Sequence, residues 1–238
     1  RLKAPEWPLF PRGQDYAEIY ARDRDLGLSA AWLGHRLIAS ELTNMAIHAD
    51  CAPVVDVPVP GAHDVIGDRA FGSDTGTVAS LAGAALAGLA AGGVAGVIKH
   101  IPGHGRARVD SHLDLPIVDT NNNELIETDF YPFKFCNFSK LAMTAHIIFS
   151  EIDSEYPATI SSKVIRDVIR GHINFNGLLM TDDISMKALR GKKDVLSIAA
   201  LKAGCDLILH CNGDMEEMLS IAEALENKMY KIDLSSKL

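Results

Sequence analysis

Cysteine is scarce and irregularly placed. The four cysteines, Cys51, Cys136, Cys205 and Cys211, form no CxxC pair and no closely spaced framework. This excludes a disulfide-stapled secreted module and a zinc ribbon, and it makes a reducing compartment, the cytoplasm, the expected location. Aromatic residues make up only 6%, and positive charge is in deficit, with 23 Lys and Arg against 31 Asp and Glu and a net charge of −8. A surface of that sign repels a phosphate backbone, and no basic stripe interleaved with aromatics offsets it, so no nucleic-acid partner is expected. No run reaches the roughly 18 to 20 uninterrupted apolar residues of a membrane helix, and no membrane partner is expected either. The nearest run, 80–97, is interrupted by Gly and rich in Ala, a composition suited to close helix packing. No signal peptide stands at residue 1, and the opening RLKAPEWPLFPRG reads as the middle of a protein. No GxGxxG or GxxxxGK[ST] loop follows any apolar run, which counts against nucleotide binding.

With 238 residues, 47% of them hydrophobic, the chain can bury a sizeable core and reads as one domain over 1–238. Strand-like apolar runs fall at 49–57, 94–101, 141–149, 177–181 and 206–210. Helix-like segments fall at 30–46, 77–91, 161–170, 195–203 and 214–226, with Ser161 and Ser162 as a cap and Gly204 as a stop. Apolar strands joined by crossover helices imply an α/β fold with a parallel sheet, either open or closed into a barrel. The polar residues favour closure: Asp56, Lys99 with His100, His146, Asp182 with Asp183, and His210 all end successive strands. That is where a (β/α)8 TIM-type barrel builds its active site. Five strands counted toward eight place the first three before residue 1.

The densest constellation is KHIPGHGRARVDSHLDLP, 99–116. Gly103 and Gly105 near its base give the segment freedom to move, and a mobile loop can carry a catalytic group over a substrate. In its DSH, Asp110 stands two residues before His112. The carboxylate can hold one imidazole nitrogen and leave the other for acid/base work. A zinc held by His100, His104 and His112 is the competing reading, but Pro102 and the glycines break the helix that an HxxxH pair needs. The second constellation is GLLMTDDISM, 177–186. There Asp182 at a strand end can act as a carboxylate nucleophile toward a sugar carbon, while Asp183 fits a cap equally well. Arg69, in VIGDRAFG, either reaches over the barrel mouth or is a solvated arginine. Asp56, His146, His210 and Asn212 fit buried hydrogen-bond networks as well as they fit a site.

Taken as a set, APVVDV, IGDRAF, KHIPGHGRARVDSH, MTAHIIF, GLLMTDDISM and AGCDLILHCN resemble the NagZ-type β-N-acetylglucosaminidase branch of glycoside hydrolase family 3. The resemblance implies Asp182 as nucleophile, His112 as acid/base with Asp110 as its orienting partner, and Arg69, Lys99 and His100 as contacts to sugar hydroxyls. It also implies a retaining exo-glycosidase that releases GlcNAc from GlcNAc-1,6-anhydro-MurNAc, with or without a peptide, in peptidoglycan recycling. No metal and no organic cofactor are implied, and a monomer is expected. Relatives of this kind carry a segment resembling DQEGGRVQR ahead of the region matching RLKAPEWP, so the sugar subsite is expected to be incomplete within these residues alone. Two alternatives stay open: a β-N-acetylglucosaminide phosphorylase, which uses phosphate in place of water, and a catalytically silent sugar-binding barrel fragment.

Overall fold

The computed structural model describes residues 4–111 and 114–226. Five parallel strands form a curled sheet in the order β1 (Ala49–Asp50), β2 (Ala95–Ile101), β4 (Leu141–Thr144), β6 (Leu178–Asp183) and β7 (Leu207–Leu209). Two shorter strands, β3 (Ile117–Val118) and β5 (Ile148–Phe149), pair parallel beside it. Every neighbouring pair in the main sheet is parallel, so a helical or loop crossover returns the chain to the same end each time. The apolar strand residues Ile98, Ala142 and Leu179 are fully buried, as expected of strands covered on both faces.

The helices are α1 (Gly13–Arg22), α2 (Arg24–Asn44), α3 (Thr75–Ala91), α4 (Asn122–Glu127), α5 (Phe130–Phe135), α6 (Lys193–Ala203) and α7 (Met215–Glu226), with a π-helical segment at Val164–His172. Their ends follow from local chemistry. Asp23 accepts from the Leu26 N–H at 3.0 Å to start α2, and Asp74 accepts from the Thr77 N–H at 2.8 Å to start α3. Ser161 accepts from the Val164 N–H at 3.0 Å, and Gly204 ends α6 at φ +120°, both as the sequence indicates. The Ala/Gly stretch of α3 packs closely on α2: a side chain at Gly88 would collide with the Trp32 carbonyl. Small residues therefore serve helix packing here. No helix among the described residues is long and apolar enough to cross a membrane.

Several elements differ from the sequence reading. The run at 49–57 forms only two residues of strand plus a bridge from Val54 to Lys99, because Pro53 and Pro58 cannot donate to a ladder. The run at 141–149 splits between β4 and β5, which belong to different sheets. Helix α2 starts at Arg24 rather than 30, and α1, α4 and α5 are additional. Arg170 closes the amino end of β6: its guanidinium donates to the Phe175 and Gly177 carbonyls at 2.9 and 2.8 Å and to the Asp206 carboxylate at 2.8 Å.

Candidate active site

The carboxyl ends of the sheet gather one connected polar network. Register shifts interrupt the ladders between Lys99 and Ile101 in β2 and between Met180 and Asp183 in β6. Bulges of this kind re-aim side chains at strand ends, and here they fall at His100 and Asp182. The Lys99–His100 peptide is cis.

Asp56 is the hub. It is fully buried, and its Oδ1 accepts the His100 N–H at 3.1 Å and the His104 N–H at 2.7 Å. Its Oδ2 accepts from His100 Nδ1 at 2.7 Å. Burial pushes the Asp56 carboxyl upward, but His100 and His104 outweigh burial and hold it below the usual carboxylate range. An ionised carboxylate only accepts, so His100 carries its proton on Nδ1 and presents Nε2 to Asp182, whose Oδ2 lies 4.0 Å away. That separation is too long for a hydrogen bond, so the two groups do not satisfy each other, and a substrate hydroxyl lying to one side of the line between them can reach both.

The Asp182 side chain is 18% exposed, so a ligand can reach it. Burial raises its pKa, yet its neighbours, His100 first, with the Asp183 N–H and Lys99, bring it below the ordinary value. It is a carboxylate held ionised in a dry setting, as a nucleophile requires. Lys99 shows the opposite balance: burial lowers its pKa, reinforced by Arg69 and opposed by Cys51, Asp182 and Asp50. Arg69 and Lys99 line a cavity of about 430 Å³ together with Asp50, Cys51 and His35. The Arg69 guanidinium donates to the Val65 and Ile66 carbonyls at 2.6 and 3.2 Å, so it stands at the mouth rather than in bulk solvent. Lys99, His100, Asp182 and Arg69 are thus brought to one region, and Ser111 reaches His104 from the loop, while the Asp110 carbonyl accepts the Asp114 N–H within the loop itself. His112 lies outside the described residues.

Two glycines of that loop have constraints of their own. Gly103 adopts φ +150°, and a side chain at Gly105 would collide with the Val57 carbonyl. The loop base is therefore packed closely on the 57–58 backbone, a requirement for glycine distinct from mobility. Arg106 reinforces the anchorage through the Asp129 carboxylate at 2.6 Å and Glu124 at 2.8 Å.

His104 and Ser111 were not separable from their neighbours in the sequence. His104 Nε2 lies 3.1 Å from Ser111 Oγ, and both residues are 3% exposed. The HxxxH segment instead uses His100 on Asp56 and His104 on Ser111. Among the described residues, no group of three or more His, Cys, Asp or Glu side chains is arranged to hold a metal. Burial, with His100 next, lowers the His104 pKa to about 4. A histidine that resists protonation in the fold but takes a proton when unfolded costs stability as pH falls from its unfolded value near 6.5 toward 4. The span corresponds to about 3 kcal/mol. Urea unfolding at pH 7.5, 5.5 and 4.5 is expected to lose stability progressively, and the loss is expected to be smaller in His104→Gln. An equal loss in both proteins would remove His104 as its cause.

Asp183 has a structural part. Its carboxylate accepts from the Ser185 N–H at 2.9 Å, the Ser185 hydroxyl at 2.6 Å and the Cys211 N–H at 3.0 Å, stitching β6 to the segment after β7. His210 Nε2 lies 2.8 Å from the Glu217 carboxylate, which also accepts from the Asn212 amide at 2.8 Å. This ties the β7 end to α7.

Residues 9–237 match the model of the glycosyl hydrolase family 3 N-terminal domain. A β-hexosaminidase of Thioalkalivibrio sulfidiphilus is 38% identical over 220 residues, covering 91% of this chain and 61% of the relative. One of Methylococcus capsulatus is 38% identical over 222 residues, covering 92% of this chain and 65% of the relative. The chain thus spans less than two thirds of either relative's length. NagZ from Neisseria gonorrhoeae, solved in complex with N-trifluoroacetyl-D-glucosamine, superposes with a TM-score of 0.86 at 30% identity, covering 98% of this chain and 67% of that one.

Proposed function

The chain belongs to glycosyl hydrolase family 3 through its N-terminal domain, and from that premise we propose that it forms the catalytic region of a retaining exo-β-N-acetylglucosaminidase. The observation that carries the reading is Asp182: a reachable strand-end carboxylate, held ionised despite burial, facing His100 across a gap of 4.0 Å. The kinship to β-hexosaminidases supports GlcNAc as the sugar released. The curled sheet is read as five strands of a (β/α)8 barrel within the single domain 1–238, a geometry that would enclose the site from the sides now formed by edge strands.

In the proposed cycle Asp182 Oδ2 attacks the anomeric carbon as His112, oriented by Asp110, protonates the departing oxygen. The resulting glycosyl–Asp182 ester is cleaved by water deprotonated at His112, and the β configuration is retained through two inversions. The His112/Asp110 pair takes the place of the second carboxylate of the usual retaining arrangement. Arg69, Lys99 and His100 bind sugar hydroxyls. The proposed substrate is GlcNAc-1,6-anhydro-MurNAc, with or without its peptide, met in peptidoglycan recycling in the cytoplasm by a monomer that needs no cofactor.

The test is incubation of the full protein with a chromogenic β-N-acetylglucosaminide, in buffer with and without inorganic phosphate, with the products resolved by chromatography and NMR. β-GlcNAc released first in both buffers is the expected result. Formation of GlcNAc-1-phosphate whenever phosphate is present would replace hydrolysis with phosphorolysis, and no turnover in either buffer would leave a sugar-binding domain.

A further inference from the structure

We propose that His146 is a positioning residue for the nucleophile, held in one tautomer by a relay of two threonine hydroxyls and fixing the backbone from which Asp182 is aimed. The inference rests on the reading of Asp182 as nucleophile and adds to it residues that touch no substrate.

His146 follows β4 and is 1% exposed. Its Nε2 lies 3.0 Å from the carbonyl oxygen of Asp183. A carbonyl can only accept, so the proton is on Nε2. Burial disfavours a second proton on this ring, which leaves Nδ1 bare and in need of a donor. Thr159 Oγ1 is 2.7 Å from it. The same hydroxyl lies 3.1 Å from the Ala145 carbonyl, but it has a single hydrogen, and the shorter contact, to a nitrogen with no other donor, takes it. Thr144 Oγ1, 2.8 Å from Thr159 Oγ1, then donates to Thr159. Thr144 and Thr159 are both fully buried, so no solvent competes. The chain of donors runs Thr144 to Thr159 to His146 to the Asp183 carbonyl, each hydrogen used once.

At the end of this chain the residue-183 backbone is fixed from two sides, by His146 at its carbonyl and by Ser185 and Cys211 at its carboxylate. Its N–H donates to Asp182 Oδ1 at 2.8 Å. Oδ1 is thereby occupied, and Oδ2, the oxygen facing His100, is left as the attacking atom. Without His146 the 183 carbonyl keeps only the Met186 N–H at 3.1 Å, a donor from the following turn rather than from β4, and the direction of Oδ2 is less closely fixed. A misplacement of about 1 Å in a reacting group costs on the order of 100-fold in rate.

The test uses the full protein, a chromogenic β-N-acetylglucosaminide and a 5-fluoro glycosyl fluoride of N-acetylglucosamine, which traps the glycosyl–enzyme ester. In His146→Leu, kcat and the trapping rate are expected to fall about 100-fold while KM stays within about threefold, since Lys99, His100 and Arg69 are untouched. His146→Gln, whose amide can donate to the Asp183 carbonyl and accept from Thr159, is expected to recover most of the loss. If His146→Leu does not fold, as read by thermal melting, Thr159→Val carries the test. It removes the donor to Nδ1 with little change of shape and is expected to lower kcat about tenfold. Trapping on Asp182 at the wild-type rate in the folded variants, or losses that Gln does not repair, would overturn the positioning role alone. Wild-type protein labelled at a residue other than Asp182 would overturn the nucleophile reading and this inference with it.

Discussion

Replacing Asp182 by Ala is expected to lower kcat by about 10⁴-fold or more, the scale on which removal of a covalent nucleophile is felt when the remaining site is intact. The group must be ionised to attack, and its environment sees to that. Burial alone would raise its pKa, but its neighbours, His100 first, with the Asp183 N–H and Lys99, reverse the balance and set it below the ordinary 3.8. Two consequences follow. The acid limb of the kcat/KM profile that belongs to Asp182 lies below about pH 4, so activity lost between pH 7 and 5 must come from another group. Asp182→Asn is expected to be as inactive as Asp182→Ala, because it keeps the shape and loses the charge, and to be somewhat less stable than wild type at neutral pH, since a carboxyl held below its ordinary pKa contributes stability in its ionised form. With Asp182→Ala, added azide is expected to restore some release of an activated aryl leaving group and to give the α-glycosyl azide, the product of one inversion. More than about a tenth of wild-type turnover in Asp182→Ala, with no azide product, would take the nucleophile role away from this residue.

How much of this was legible beforehand depended on whether the partner lay close in sequence. The run LLMTDD in β6 announces itself, because consecutive carboxylates at the end of an apolar buried strand need either a structural partner or a ligand there. The resemblance singles out Asp182 for chemistry, but what occupies Asp183 was not legible locally, since its carboxylate is taken up by Ser185 and by Cys211, the latter 28 residues away. Asp56 was visible as a strand-end carboxylate, but its ligands His100 and His104 lie 44 and 48 residues on, and no local pattern joins them. Thr159 gave no signal at all: a threonine in a short helical turn is unremarked until the fold lays it against His146. The split of 141–149 was hidden for a similar reason. Ile148 and Phe149 are apolar enough to continue β4, yet they pair with Ile117 and Val118 from another loop, and tertiary pairing overrides the continuity of the run. Helix α1 and the first turn of α2 were missed because their charged residues dilute the apolar period, although Asp23 sits where a cap belongs.

Asp56 provides the sharpest separation of fold from chemistry. In Asp56→Ala the backbone N–H groups of His100 and His104 and the His100 ring lose their acceptor together. All are in a dry interior, so a loss of about 3–5 kcal/mol is expected, read as an unfolding midpoint lower by roughly 10 °C. The wild-type carboxyl has a depressed pKa in the fold. Its stabilising contribution is therefore full above its unfolded value and is lost as pH falls through the folded one. Asp56→Asn behaves differently because the two backbone donors share Oδ1 and the ring uses Oδ2. An amide can place its oxygen at the first position and keep both backbone bonds. Its NH2 then faces His100 Nδ1, where it can only donate, and the imidazole proton is driven to Nε2, toward Asp182. The fold is expected to hold within about 1–2 kcal/mol, while activity falls by 10²- to about 10⁴-fold, as when a catalytic histidine is forced into the wrong tautomer. Nitrogen-15 chemical shifts of the His100 ring, compared between wild type and Asp56→Asn, report the exchange of protonated and bare nitrogens directly. An Asp56→Asn protein with inverted shifts and undiminished turnover would show that the tautomer is immaterial and that Asp56 serves the fold alone. Inverted shifts with turnover lost and melting preserved would place Asp56 in the machinery that orients His100 toward the sugar.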